Sequence, residues 1–255
     1  MGICNKENQK INGNNPLYIS QLNNNKQEKS KPVPLETAIK LSKSICKIIY
    51  KDNLGIHYGT GFFMIYNSLK CLISNYHVIN HDLINKFIKI EIYNKNTIDF
   101  KLDQNRYIKI LDRPIDISII EIKDSDGIKG DIEYLNYDLN YKFGYSQYKG
   151  VDIIGIEYPL GKDVSCGSGK IINIHDFCFD HNIPTQGGSS GTPIILFNTL
   201  KVIGIHKGGN TSQITNAGTF IGEIFNEVNK ILEKKNVEIG GIVNTDGNKE
   251  KENYI

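Results

Sequence analysis

The sequence predicts an all-β protein, a barrel or a sandwich, and three observations carry that prediction. Short runs rich in Ile, Val, Phe and Tyr recur along the body of the chain. Clusters of Asn, Asp and Gly separate them at close spacing, as turns between strands do. Helical periodicity is confined to two segments, one at each end of that body. The 255 residues suffice for one large β domain or two small ones around a buried core.

In order, the predicted strands cover 45–50, 56–66, 70–74, 87–93, 107–111, 117–122, 151–157, 169–174, 193–197, 201–206 and 219–221. Residues 35–44, LETAIKLSKS, read as a short lead-in helix. Residues 223–235 bring Ile224, Phe225, Val228, Ile231 and Leu232 onto one face, which suits a terminal helix packed on the body. The stretch 123–147 has no clean period and is read as the connection between two halves. Residues 1–34 and 237–255 are polar and low in complexity, and are expected to be disordered tails. That leaves 35–130 as a first β unit and 131–236 as a second.

Composition excludes several classes. Thirty basic residues against 28 acidic ones leave a net charge of +2, so no global field favours nucleic acid. No apolar run approaches the ~18–20 residues that span a bilayer. The first thirty residues hold no apolar h-region, so a secretory signal is not expected and a cytoplasmic location is. Cys4, Cys46, Cys71, Cys166 and Cys178 form no C-x-x-C pair, and reduced thiols with no structural disulfide are expected. Met1-Gly2 with Cys4 resembles an acylated start, although Lys6 stands where that pattern expects Ser or Thr. Membrane association is therefore expected only if Gly2 and Cys4 carry acyl chains.

The most specific stretch is Gln186-Gly-Gly-Ser-Ser-Gly-Thr-Pro193. Glycines on both sides of a serine permit a tight turn that other residues resist. Such a turn can aim successive backbone N–H groups into one small volume. A hydroxyl held there can attack a carbonyl while those N–H groups receive the developing negative charge. Partners for it lie upstream. His77 ends an apolar run in Leu72-Ile-Ser-Asn-Tyr-His-Val-Ile79, and Asp116 opens another in Ile115-Asp-Ile-Ser-Ile-Ile120. The chain order His77, Asp116, Ser190 is one in which a hydrolytic triad occurs.

On these residues the chain resembles the chymotrypsin-like serine proteases. Gly59-Thr-Gly-Phe62, Ser74-Asn-Tyr-His-Val-Ile79, Asp116-Ile-Ser-Ile-Ile120 and Gly188-Ser-Ser-Gly-Thr-Pro193 are similar to four motifs of that family, in the same order. The last third resembles one branch, the glutamyl endopeptidases, through Tyr158-Pro159, Gly169-Lys-Ile171, Pro184–Pro193 and Val202-Ile-Gly-Ile-His-Lys-Gly-Gly209. The resemblance spans roughly residues 45–235. It implies two packed six-stranded antiparallel β-barrels with a C-terminal helix and an active site between them. It implies His77, Asp116 and Ser190 as the catalytic triad and the N–H groups of Gly188 and Ser190 as the oxyanion hole. It implies a protein or peptide substrate, no cofactor and no metal. Ser189 replaces the aspartate that many members carry before the nucleophile. Pro184 stands where a trypsin-type enzyme has the acid that selects Lys and Arg, whereas Thr185 and His206 match the pair that binds a P1 glutamate in the glutamyl branch. A P1 Glu is therefore expected first, with Gln or Asp as alternatives, since hydroxyl and imidazole N–H both donate to carboxyl or amide oxygen.

Other readings fit less well. Ser189 matches G-x-S-x-G, but an α/β-hydrolase elbow needs a helix after it, and an apolar strand pattern follows. His77 and His81 are four apart, but Val78 stands where a metalloprotease carries Glu. Gly167-Ser-Gly-Lys170 is half a phosphate loop and reads better as a strand start. A protease fold acting only as a binding module is the competing function.

Overall fold

The structure is a computed structural model that describes residues 30–93, 96–128, 132–210 and 215–225. After helix α1 (Leu35–Ser42), seven strands follow: β1 (Ile45–Asp52), β2 (Gly55–Tyr66), β3 (Leu69–Ser74), β4 (Phe87–Ile92), β5 (Asn96–Lys101), β6 (Ile108–Leu111) and β7 (Ile117–Glu121). They form one antiparallel sheet in the order β5-β4-β1-β2-β3-β7-β6. Six more follow: β8 (Asp152–Glu157), β9 (Ser165–His175), β10 (Cys178–His181), β11 (Pro193–Leu196), β12 (Val202–Asn210) and β13 (Thr215–Phe220). These close into an antiparallel barrel in the order β10-β13-β12-β11-β8-β9. The expected all-β fold in two halves is what the chain adopts. The second half closes as a six-stranded barrel, while the first is an open sheet of seven strands, Asn96–Lys101 pairing with β4 at its edge.

Side-chain alternation explains how the halves join. On β2, Phe63 faces the interior of the first half while Phe62, Met64 and Tyr66 face the second half. On β3 and β7, Leu72 and Ile120 turn inward while Ile73, Ile117 and Ile119 turn to the shared face. The barrel answers with Ile154, Ile156, Ile195 and Val202 on the shared face and Ile153, Ile194 and Ile203 inside. Strands apolar on both faces are therefore those that belong to two cores at once. Each fully buried Ile or Phe stabilises the fold by about 1.5–3 kcal/mol relative to leaving it exposed.

The connection between the halves also pairs with each. Leu135 bridges to Met64 of β2, and Tyr137 bridges to Val202 of β12. Of the expected terminal helix, residues 222–225 are helical, and Ile224 and Phe225 are buried in the shared core. Val228, Ile231 and Leu232, residues 1–29 of the expected tail 1–34 with Gly2 and Cys4 among them, and the expected tail 237–255 lie outside the described residues. Cys46, Cys71, Cys166 and Cys178 are free thiols. Among the described residues no helix is long and apolar enough to cross a membrane.

Candidate active site

His77 follows β3 in one turn of backbone closed by Asn75, whose carbonyl accepts the N–H groups of Val78 and Ile79. Asp116 lies immediately before β7 with φ +65°, in the left-handed region that Asp tolerates better than most residues. Its carboxylate reaches two groups of His77, the backbone N–H and the ring Nδ1. The His77 backbone N–H donates to Asp116 Oδ1 at 3.0 Å, and His77 Nδ1 lies 2.8 Å from Oδ2. The Asn75 amide donates to the Asp116 carbonyl at 2.9 Å, which locks the two loops together. Asp116 is buried and the His77 ring is part-exposed. With Nδ1–H given to the carboxylate, the neutral ring keeps Nε2 as its acceptor.

Ser190 is carried by two consecutive turns. Ser189 N–H donates to Gln186 O at 3.0 Å, and Thr192 N–H donates to Ser189 O at 3.0 Å. Gly188 and Gly191 are the third residues of those turns, with φ +89° and +93°, values that type II turns require and glycine supplies. Ser190 is the corner of the second turn and stays part-exposed. A Cβ on Gly191 would lie 1.9 Å from Thr60 O and 2.5 Å from Ser74 Oγ, so only glycine fits. Among the described residues, the Gly188 and Ser190 N–H groups have no backbone acceptor.

Thr60 of β2, fully buried, ties that turn to the first half. Its N–H donates to Ser190 O at 2.8 Å, and its hydroxyl donates to Gly188 O at 2.9 Å. The same hydroxyl accepts from Tyr158 N–H at 3.1 Å, and its carbonyl accepts from Ser74 Oγ at 2.8 Å. Ser74 is three residues before His77, so the turn and the His–Asp pair share this anchor. Thr60 was not among the expected site residues. Its signal was the flanking pair Gly59 and Gly61, where a Cβ would strike Val78 at 2.5 Å and Ile48 and Leu72 at 2.8 Å.

Ser189 and Ser190 differ in kind. Ser189 is fully buried, and its hydroxyl accepts from Gln186 N–H at 3.1 Å. The buried Glu157 carboxyl takes a Thr192 hydroxyl contact at 3.4 Å beneath the same turn. Burial pushes that carboxyl above its ordinary value, against hydrogen bonds from Ser189 and Thr192 that pull it down. β11 follows the turn, so the G-x-S-x-G reading of Ser189 has neither an exposed hydroxyl nor a following helix.

His206 on β12 holds the turn through its backbone. Its carbonyl accepts Gly191 N–H at 3.1 Å and its N–H donates to Thr192 O at 2.9 Å. Its buried ring meets a second buried histidine, with His181 Nε2 3.1 Å from His206 Nδ1. Ile183 N–H donates to His181 Nδ1 at 3.3 Å, so the His181 proton is on Nε2 and is given to His206 Nδ1. The His206 proton is then on Nε2. Burial holds His206 down at about 4, with a further push from His77, and burial holds His181 well below the ordinary histidine value. Thr185, part-exposed, lies on the loop between β10 and the turn, with no hydrogen bond to His206 among the described residues.

The other histidines take no part. His81 opens a short 3-10 helix and pairs with Asp112 at 3.3 Å, so it shares no helix face with His77. Gly167–Lys170 lies within β9. Burial raises the Cys46, Cys71 and Cys166 thiols, which makes them poor nucleophiles.

No protein-family model matches the chain, and no curated protein does. Solved structures do. The active form of the Rv3671c protease from M. tuberculosis matches with a TM-score of 0.59 at 16% identity, over 80% of this chain and 88% of that one. The serine endoprotease from Yersinia pestis matches with a TM-score of 0.57 at 14% identity, over 80% and 67%. The inactive form of the Rv3671c protease gives 0.57 at 16% identity, over 80% and 97%. At such identities the likeness speaks to architecture, and together with the two β halves it gives this chain the fold of the chymotrypsin-like serine proteases.

Proposed function

We propose that this protein is a serine endopeptidase with Ser190 as nucleophile, His77 as general base and Asp116 as its orienting carboxylate. The observation that carries this reading is the double contact of Asp116 with His77, on loops bound through Ser74 and Thr60 to the turn bearing Ser190. In the proposed cycle His77 Nε2 takes the Ser190 proton as Oγ adds to the scissile carbonyl. Asp116 stabilises the imidazolium that results. The N–H groups of Gly188 and Ser190 receive the oxyanion, each donor of this kind being worth about 2.7–4 kcal/mol in the transition state. His77 then gives its proton to the leaving amine, and water releases the acyl group by the same steps in reverse order.

The proposed P1 subsite is formed by Thr185 and His206. A neutral His206 offering Nε2–H, beside a threonine hydroxyl, suits an acceptor oxygen rather than a cation. P1 Glu is the first choice, with Gln and Asp as alternatives, because a neutral donor accommodates carboxylate and carboxamide oxygen alike. The test is a peptide-library digest with the parent and with Ser190→Ala. Cleavage after Glu or Gln by the parent, lost in the variant and broadened in His206→Ala, is the expected result. Parent-level cleavage by Ser190→Ala overturns the triad. A profile dominated by Lys, Arg or aromatic P1 residues overturns the subsite alone.

A further inference from the structure

Beside His77 a cleft of about 400 Å³ opens between the halves. Its lining is His77, Asp116, Arg113 and Pro114 from the first half, and Lys207 to Gly209 with Ala217 from the barrel. Pro114, the glycines and Ala217 make its body apolar, and the free charges on it are cationic. Asp116 is its one carboxylate, and that group is already taken by His77. The Lys207 ammonium donates to Pro114 O at 2.8 Å and to Cys178 Sγ at 3.4 Å. An ammonium has three donors, so one is left over in a position fixed by contacts to both halves. Among the described residues, the exposed Arg113 guanidinium has no hydrogen-bond or ion-pair partner. Two cations thus line a cleft whose one carboxylate is engaged by His77, and an anionic side chain entering it is attracted by both.

The backbone says which part of a substrate reaches this cleft. β11 pairs with β12 only as far as Ile205, while β13 pairs with Gly208 and Gly209 on the other side. The edge of β12 beyond His206 is therefore open to an added strand. Side chains alternate along such a strand. If one residue enters the His206 side for cleavage, its N-terminal neighbour faces the His77 side.

We propose that the cleft is a second specificity subsite that takes an acidic side chain at P2, held by Lys207 and Arg113. This rests on the protease reading above and deepens it: the substrate class becomes acidic dipeptide segments rather than isolated glutamates. The inference is tested by binding and by hydrolysis with two peptides, alike except for Glu or Ala at P2 before a P1 Glu. In the Ser190→Ala protein the P2 Glu peptide should bind about tenfold more tightly at low salt. That ratio should shrink toward one in Arg113→Gln, in Lys207→Gln and at high ionic strength. Equal binding of the two peptides, or a preference that persists in both variants, overturns the subsite whatever the chemistry. The parent protein should show the same ratio in kcat/KM. Selective binding with no hydrolysis of either peptide contradicts the protease reading and leaves the subsite standing.

Discussion

The two halves of the molecule contribute to the site in different ways. The first half presents His77 and Asp116 through side-chain contacts, with the carboxylate gripping both the ring and the backbone N–H of the histidine. The second half presents Ser190 through backbone, on two turns whose groups are bound by Thr60 and His206. A side-chain device should be sensitive to the chemistry of its members and indifferent to most of the backbone nearby. A backbone device should tolerate side-chain deletion and fail when a glycine is replaced.

The largest effect expected is on the first half. Asp116→Asn keeps the shape of the contact but favours the wrong histidine tautomer, and should lower turnover roughly ten-thousand-fold while thermal unfolding barely moves. A loss under tenfold, measured in steady-state kinetics, would mean that the pair is structural. The converse substitution is Gly191→Ala. Its φ of +93° and a Cβ 1.9 Å from Thr60 O combine strain with overpacking. The expected cost is about 3 kcal/mol or more, a fall in Tm of roughly 6–12 °C for a domain of this size. Unchanged Tm would show that the turn is not held against β2.

Acid should weaken the second half first. His181 and His206 are neutral when folded, with His206 held at about 4 against an ordinary value of 6.5. Between those values the unfolded chain binds more protons, so stability falls as pH falls from 6.5 through 4. His206 alone contributes on the order of 3 kcal/mol to that loss. Unfolding midpoints measured from pH 7 to pH 4 should show the slope, and His206→Phe should flatten it. A parent curve with no slope in that window would contradict the buried neutral pair. The smallest effect expected is that of Thr60→Val. It removes the hydroxyl between Gly188 O and Tyr158 N–H at a cost of about 1–3 kcal/mol. Turnover should fall and Thr60→Ser should restore it; loss in Thr60→Ser as well would place the effect in packing.

That contrast also explains what the sequence made legible. His77, Asp116 and the glycine-bracketed Ser190 announce themselves because their chemistry or conformational demand is carried by residue type. Strands with β-branched apolar runs, such as β7 and β8, were equally plain. β5 was missed because Thr97, Asp99 and Lys101 are polar and leave only Ile98 and Phe100 to signal it. β10 was missed because it is four residues long and ends in Asp180 and His181, buried polar groups that read as a turn. His181 was invisible as a site residue because its role is a hydrogen bond across a long sequence separation, which no local pattern encodes, whereas Thr60 was marked only by the glycines on either side of it.

The central claim is that Ser190 is an activated nucleophile, and covalent labelling tests it most directly. The parent protein should react with a fluorophosphonate probe to give one adduct, placed on Ser190 by peptide mass spectrometry. The rate should drop by orders of magnitude in His77→Ala, and Ser190→Ala should give no adduct. No adduct in the parent, an adduct on Ser189, or labelling as fast in His77→Ala as in the parent would contradict the account.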